Sequence, residues 1–182
     1  METNDYSQWF RGSTPYISAH RGKTFVVYLG GDALAHTNVT NIVHDLALLH
    51  VLGVQLVLVH GGRPQLDEAL PESKIHSHRR ITEPQDMGKV TGVYGLLRSQ
   101  IEGLFSTGLP NTPLHNVDIS VVSGNFVTAK PLGVLDGIDH LLTGQLRSLD
   151  SPRIADLLGA NNLVLQSPLG FSNSGQAFNL AS

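Results

Sequence analysis

Two pairs of glycines mark where this chain could handle an anion. The run Thr24-Phe25-Val26-Val27-Tyr28-Leu29 ends in Gly30-Gly31-Asp32-Ala33, and Val54-Gln55-Leu56-Val57-Leu58-Val59 ends in His60-Gly61-Gly62-Arg63-Pro64. Paired glycines in such a place let backbone amides approach a negative group at a helix N-terminus. Transfer of a phosphoryl group would also need a cation beside the developing charge. A lysine at position 28 would supply one, but Tyr28 stands there and is neutral near pH 7. His60, at the end of its strand, reads as a group that orients the loop by hydrogen bonding.

These loops need a scaffold of parallel strands and helices. Each glycine pair closes a short apolar, β-branched run and precedes a helical pattern, the form of a buried parallel strand feeding a βα loop. Between the two runs, Val39, Ile42, Val43, Leu46 and Leu49 recur at helical spacing, and Gly53 ends a helix over 38–52. Pro64 opens a further helix carrying Leu66 and Leu70. Residues 71–80 read as polar and irregular, and Thr82 followed by Pro84 reads as the start of a long helix to about Ser106. Gly88, Gly92 and Gly95 inside that helix cost about 1 kcal/mol each against alanine, which predicts close contact with another backbone. Strands are expected near 118–122, 125–129 and 163–165, with an antiparallel elaboration over 117–147 and a short helix from a Ser151 cap to Gly159. Before the first strand, residues 4–20 carry Tyr6, Trp9, Phe10, Tyr16 and Ile17 around Pro15, a helical arm kinked near the proline. The fold class is α/β, a three-layer α/β/α sandwich with a mainly parallel sheet.

Composition narrows the function. Of 182 residues, 15% are charged, below the roughly 25% of an average soluble domain, which points to extensive burial. The net charge is −3 and no basic run occurs, so nucleic-acid binding has no electrostatic basis. With no cysteine there is neither a disulfide framework nor thiolate chemistry. No apolar run approaches the roughly 20 residues of a membrane span and the N-terminus has no secretory pattern, so a cytoplasmic location is expected. Among nine histidines, His76 and His78 flank Ser77 on one side of an extended segment, but no third ligand follows at a usual spacing and Lys74, Arg79 and Arg80 surround them.

Taken together, Tyr16-Ile17, His20 to Val27, Leu29-Gly30-Gly31, His60 to Gln65, Leu109 to Leu114, Val121 to Phe126, Pro131 to Val134 with Asp136-Gly137, and Phe178-Asn179-Leu180 resemble the amino-acid kinase superfamily. Within it the chain is most similar to the N-terminal domain of the bacterial N-acetylglutamate synthases, with the acetylglutamate kinases next. The kinases carry a lysine two residues before the first glycine pair and extend the second glycine run; Tyr28 and Arg63-Pro64 depart from them toward the synthases. The resemblance implies a helical arm over 1–22 and a kinase-like domain over 23–182 that regulates but does not catalyse. It implies that the acetyltransferase domain and the second half of the kinase-like domain lie outside this chain, an N-terminal fragment. It also implies a vestigial substrate pocket at Gly30, Gly31, Gly61, Gly62, Arg80 and Asn179, with Arg80 at the position that holds a substrate carboxylate. Arginine, the feedback inhibitor, is implied near Tyr16, and homo-oligomers through the arm. The whole enzyme would move the acetyl group of acetyl-CoA, its co-substrate, to L-glutamate in the first step of arginine synthesis, with no cofactor held by this chain. The alternatives are a true small-molecule kinase and a stand-alone binding or assembly module of the same fold.

Overall fold

A computed structural model describes residues 3–107, 115 and 117–180; the Leu109 to Leu114 motif lies outside them. Four strands form the central sheet: β1 (Thr24–Leu29), β2 (Gln55–His60), β5 (Val121–Ser123) and β10 (Leu163–Gln166), in the order β1-β2-β10-β5 and parallel throughout. Between them in the chain come α2 (Gly31–Ala35), α3 (Val39–Val51), α4 (Arg63–Ala69), the hairpin β3 (Ile75–His76) and β4 (Arg79–Arg80), and α5 (Met87–Ser106). A second, mixed sheet has the order β12-β11-β6-β9, from β6 (Val127–Pro131), β9 (Gly144–Leu149), β11 (Leu169–Phe171) and β12 (Ala177–Asn179). The hairpin β7 (Val134–Leu135) and β8 (Ile138–Asp139) and the helix α6 (Ser151–Gly159) complete it. α1 (Thr3–His20) precedes the domain.

Alternation along the strands makes three layers. Leu56, Leu58, Leu163 and Leu165 face a core shared with Val43 and Leu46 of α3 and Val90, Tyr94, Leu97 and Ile101 of α5. Val57, Val122 and Val164 face the other way, onto Phe126 and onto Ile154, Leu157 and Leu158 of α6. Strands covered on both faces are continuous apolar runs for this reason. On β1, an edge of the sheet, Val26 and Tyr28 remain 70% and 56% exposed.

α1 is a continuous helix that carries Pro15 inside it; proline removes one backbone bond, here from a helix with much of its surface in solvent. Several local expectations are corrected. Gly88, Gly92 and Gly95 meet no other backbone: an added Cβ would find nothing within 4 Å at any of them. They lie off the buried face of α5, which is built from Met87, Val90, Tyr94, Leu97, Ile101 and Phe105. Residues 71–80 contain the β3–β4 hairpin, turning through Ser77 (φ 48°) and His78 (φ 64°). Thr82 is no helix cap; it is fully buried, and the long helix begins instead with a 3-10 turn, Pro84–Asp86. At α6 the cap is Asp150, whose carboxylate accepts from the Arg153 amide, rather than Ser151.

Candidate functional site

Parallel pairing of β1 and β2, with Leu29 opposite His60, brings the two glycine loops together at the carboxyl ends of the strands. The Gly61 amide donates to the Leu29 carbonyl (2.7 Å), and Gln65 Nε2 donates to the Gly31 carbonyl (2.8 Å). These glycines are required by close approach. A Cβ on Gly31 would sit 2.7 Å from Pro64 Cδ and 3.1 Å from Gly62 Cα, and one on Gly62 would sit 2.7 Å from Leu97 Cδ1 and 2.9 Å from Tyr94 Cε1. One on Gly61 would overlap the Tyr28 hydroxyl. A Cβ on Gly30 would meet only the Tyr28 ring, at an ordinary 3.7 Å. The chain's own side chains thus occupy the space beside three of the four glycines.

His60 is fully buried; its Nδ1 lies 3.0 Å from the Gly61 carbonyl, which can only accept, so Nδ1 carries the proton and Nε2 is left without a partner. Its ring meets Tyr94 edge-on at 6.0 Å. Burial holds its pKa below the ordinary value, with the Arg98 charge adding to this and the Gly61 bond opposing it. The imidazole is a neutral loop anchor.

Tyr94 joins this region to a buried polar network. Its hydroxyl donates to Asn179 Oδ1 (3.1 Å), and burial pushes its pKa well up, so the phenol keeps its proton. Asn179 Nδ2 donates to Thr82 Oγ1 (3.0 Å), the Thr82 and Thr143 hydroxyls lie 3.0 Å apart, and Thr143 Oγ1 accepts from the Thr82 amide (3.0 Å). Thr143 also donates to the Arg80 carbonyl. Four elements remote in sequence, β4, α5, β9 with its approach, and β12, are tied here through side chains of at most 4% exposure. Sequence reasoning missed Tyr94, Thr82 and Thr143; no local signal marks them, since their burial comes from tertiary packing.

The network backs onto a small cavity of about 30 Å³ lined by Arg63, Leu66, Ile75, His78, Arg80, Tyr94 and Asn179. That volume suits water and not an amino-acid-sized ligand. Arg80, 8% exposed, forms an ion pair with Asp67 and donates through Nη1 to the Leu70 carbonyl (3.2 Å). Arg80 and Asn179 line this one cavity, with both side chains already engaged. Gly62 adjoins it through Tyr94, whereas Gly30 does not line it. The two imidazoles predicted on one side are parted by the hairpin turn: His78 lines the cavity, while His76 Nδ1 meets His140 Nε2 at 3.4 Å. Among the described residues no group of three or more His, Asp or Glu is placed to hold a metal.

Tyr16 lies elsewhere. It is 71% exposed and borders an apolar groove of about 370 Å³ between α1 and α3, with Trp9, Phe10, Ile17, Leu48 and Leu52. Among the described residues no helix is long and apolar enough to cross a membrane.

The profile of the amino acid kinase family matches residues 23–182. Curated relatives called amino-acid acetyltransferase are 48% identical in Ectopseudomonas mendocina, over 98% of this chain and 42% of the relative, and 49% identical in Proteus mirabilis, over 95% and 40%. The chain thus spans about two fifths of the length of the curated relatives it matches. It is also similar to the N-acetylglutamate synthase of Neisseria gonorrhoeae solved with coenzyme A and L-arginine (TM-score 0.84, 34% identity, 94% of this chain and 41% of that one).

Proposed function

Because this chain belongs to the amino acid kinase family, we propose that it is the regulatory, non-phosphorylating part of an acetyl-CoA-dependent amino-acid N-acetyltransferase. The whole enzyme makes N-acetyl-L-glutamate and coenzyme A from L-glutamate and acetyl-CoA, the first step of arginine synthesis, in the cytoplasm. Residues 1–22 are an arm and residues 23–182 the kinase-like domain. The observation that carries this reading is Tyr28. Its phenol lies over Gly61, between the two glycine loops, where a phosphoryl-transfer site would need a cation. A neutral side chain there, beside a pocket with no room for substrate, favours regulation over catalysis. The vestigial substrate site expected at Gly30, Gly31, Gly61, Gly62, Arg80 and Asn179 is reduced to structural joints: the glycine loops pack on one another and on Tyr28, Tyr94 and Leu97, and Arg80 and Asn179 line a separate small cavity.

Regulation follows from arginine bound near Tyr16, which the solved relative in complex with L-arginine supports. Arginine must favour one arrangement of the enzyme over another, since only differential affinity shifts such an equilibrium. The groove beside Tyr16 offers apolar walls, with Ser13, Tyr16 and His20 as its polar groups. The groove's lining carries no carboxylate to pair with a guanidinium, which fits a site completed by a second wall from elsewhere in the whole enzyme. The exposed aromatic residues of α1, Trp9 and Phe10, support the arm as a contact between subunits.

The test is a coenzyme A release assay on the full-length protein and on residues 1–182. The full-length protein acetylates glutamate and is inhibited by arginine; residues 1–182 do not acetylate, and they phosphorylate no N-acetylglutamate from ATP. Acetylation by residues 1–182, its absence from the full-length protein, or phosphorylation at a kinase's rate would each reject the reading.

A further inference from the structure

Two imidazoles from different hairpins turn ring nitrogens toward each other. His76 belongs to β3 and His140 follows β8, and His76 Nδ1 stands 3.4 Å from His140 Nε2. We propose that this pair binds a borderline divalent metal ion such as zinc, held by the two nitrogens with water in its remaining positions.

The spacing carries the argument. Two nitrogens on one tetrahedral ion, each about 2.0–2.1 Å from it, stand roughly 3.3–3.4 Å apart. The pair already has that span, which is longer than an ordinary hydrogen bond. The rings are tilted by 52° rather than stacked, so a small turn about the side-chain bonds brings both lone pairs onto one point. His140 is fully buried, and its backbone is fixed on both sides: its amide donates to the Gly133 carbonyl (3.1 Å) and its carbonyl accepts from the Thr143 amide (2.9 Å). The His76 side chain is 25% exposed and gives an ion its way in from water. Asp136 Oδ2 lies 3.9 Å from His76 Nε2, the ring nitrogen turned away from His140. A carboxylate on that side favours the ring hydrogen at Nε2 and leaves Nδ1 bare, the outer support that ligating histidines commonly have.

Chemistry sets the class of ion. Imidazole nitrogens suit zinc, copper and nickel, whereas magnesium and calcium require oxygen ligands that this pair does not offer. Arg80, the buried cation of the β3–β4 hairpin, is already neutralised by Asp67, and Asp136 adds a negative charge beside His76. With two protein ligands the site is open and exchangeable, in keeping with the absence of a three-ligand group among the described residues. A bound ion would tie the β3–β4 hairpin to the β7–β8 hairpin. The site stands apart from the role proposed for the chain in acetyl transfer.

Titration of the tag-free 182-residue chain with zinc chloride in neutral buffer tests it, read by long-range proton–nitrogen NMR of the histidine rings. Zinc should shift His76 Nδ1 and His140 Nε2 before the nitrogens of the other histidines, and magnesium chloride at the same concentration should shift neither. Replacing His76, which is partly in water, by His76→Gln should weaken zinc binding at the His140 ring at least about tenfold, since loss of an outer support alone costs that much in many metal sites. Asp136→Asn should weaken it to a smaller extent. Zinc shifts confined to other histidines mark adventitious surface binding and overturn the proposal, as does an unchanged affinity at His140 in His76→Gln. If His76→Gln gives the spectrum of an unfolded chain, the ring shifts of the parent chain decide alone.

Discussion

Replacing Tyr94 with phenylalanine removes one oxygen from the joint between α5 and β12. The ring stays, so its packing against Gly62 is kept and no large cavity forms. What is lost is the donor to Asn179 Oδ1 at 3.1 Å, at a site where Tyr94 is 4% and Asn179 1% exposed. No solvent reaches that acceptor, so the cost combines the hydrogen bond with an unsatisfied buried carbonyl, about 1–3 kcal/mol. For a chain of 182 residues, a mid-range loss of about 2 kcal/mol lowers Tm by roughly 4–8 °C. Thermal unfolding by circular dichroism measures it, and an Asn179→Ala background supplies the control. There the acceptor is already gone, so the same Tyr94→Phe change should cost at least about 1 kcal/mol less, the coupling expected of groups in contact. A Tm within roughly 1 °C of the parent, or an undiminished cost in the Asn179→Ala background, would refute the network as a stabilising joint.

His60 gives the chain a pH response. Its folded pKa lies below the ordinary 6.5, so as pH falls from 6.5 toward the folded value the unfolded state binds more protons and stability drops. The slope from this one group is at most about 1.4 kcal/mol per pH unit. His60→Asn, whose amide can replace Nδ1 on the Gly61 carbonyl, should flatten the loss seen in urea melts between pH 7 and 5; an unchanged slope assigns it to other groups. Removing residues 1–20 should lower the mass of the full-length protein in analytical ultracentrifugation, because α1 exposes Trp9 and Phe10. An unaltered mass places the subunit contact elsewhere.

The parallel strands and their loops were legible because strands buried on both faces must be apolar throughout and must end where glycine permits the turn. Arg80 and Asn179 were singled out through the family resemblance, and both line the small cavity. Their engagement was not legible. Asp67 meets Arg80 because the chain doubles back through Ser77 and His78, both at positive φ, a turn of the kind that asparagine and glycine usually announce. Thr82 before Pro84 carries the local signature of a helix start, yet burial by β12 and the Thr143 segment recruits its hydroxyl instead. The glycines of α5 illustrate the opposite limit: their cost is local and readable, but the space beside them is open.

β1 closes the central sheet on one side and carries Val26 and Tyr28 with most of their surface in water. An edge strand with an apolar face in water is a template on which stray strands add. Val26, 70% exposed on this margin, is thus a point where self-association of the chain can start. A charge at position 26, pointing outward from the margin, acts as a gatekeeper against fibrous self-association while leaving the Leu56 and Leu58 side of the sheet untouched.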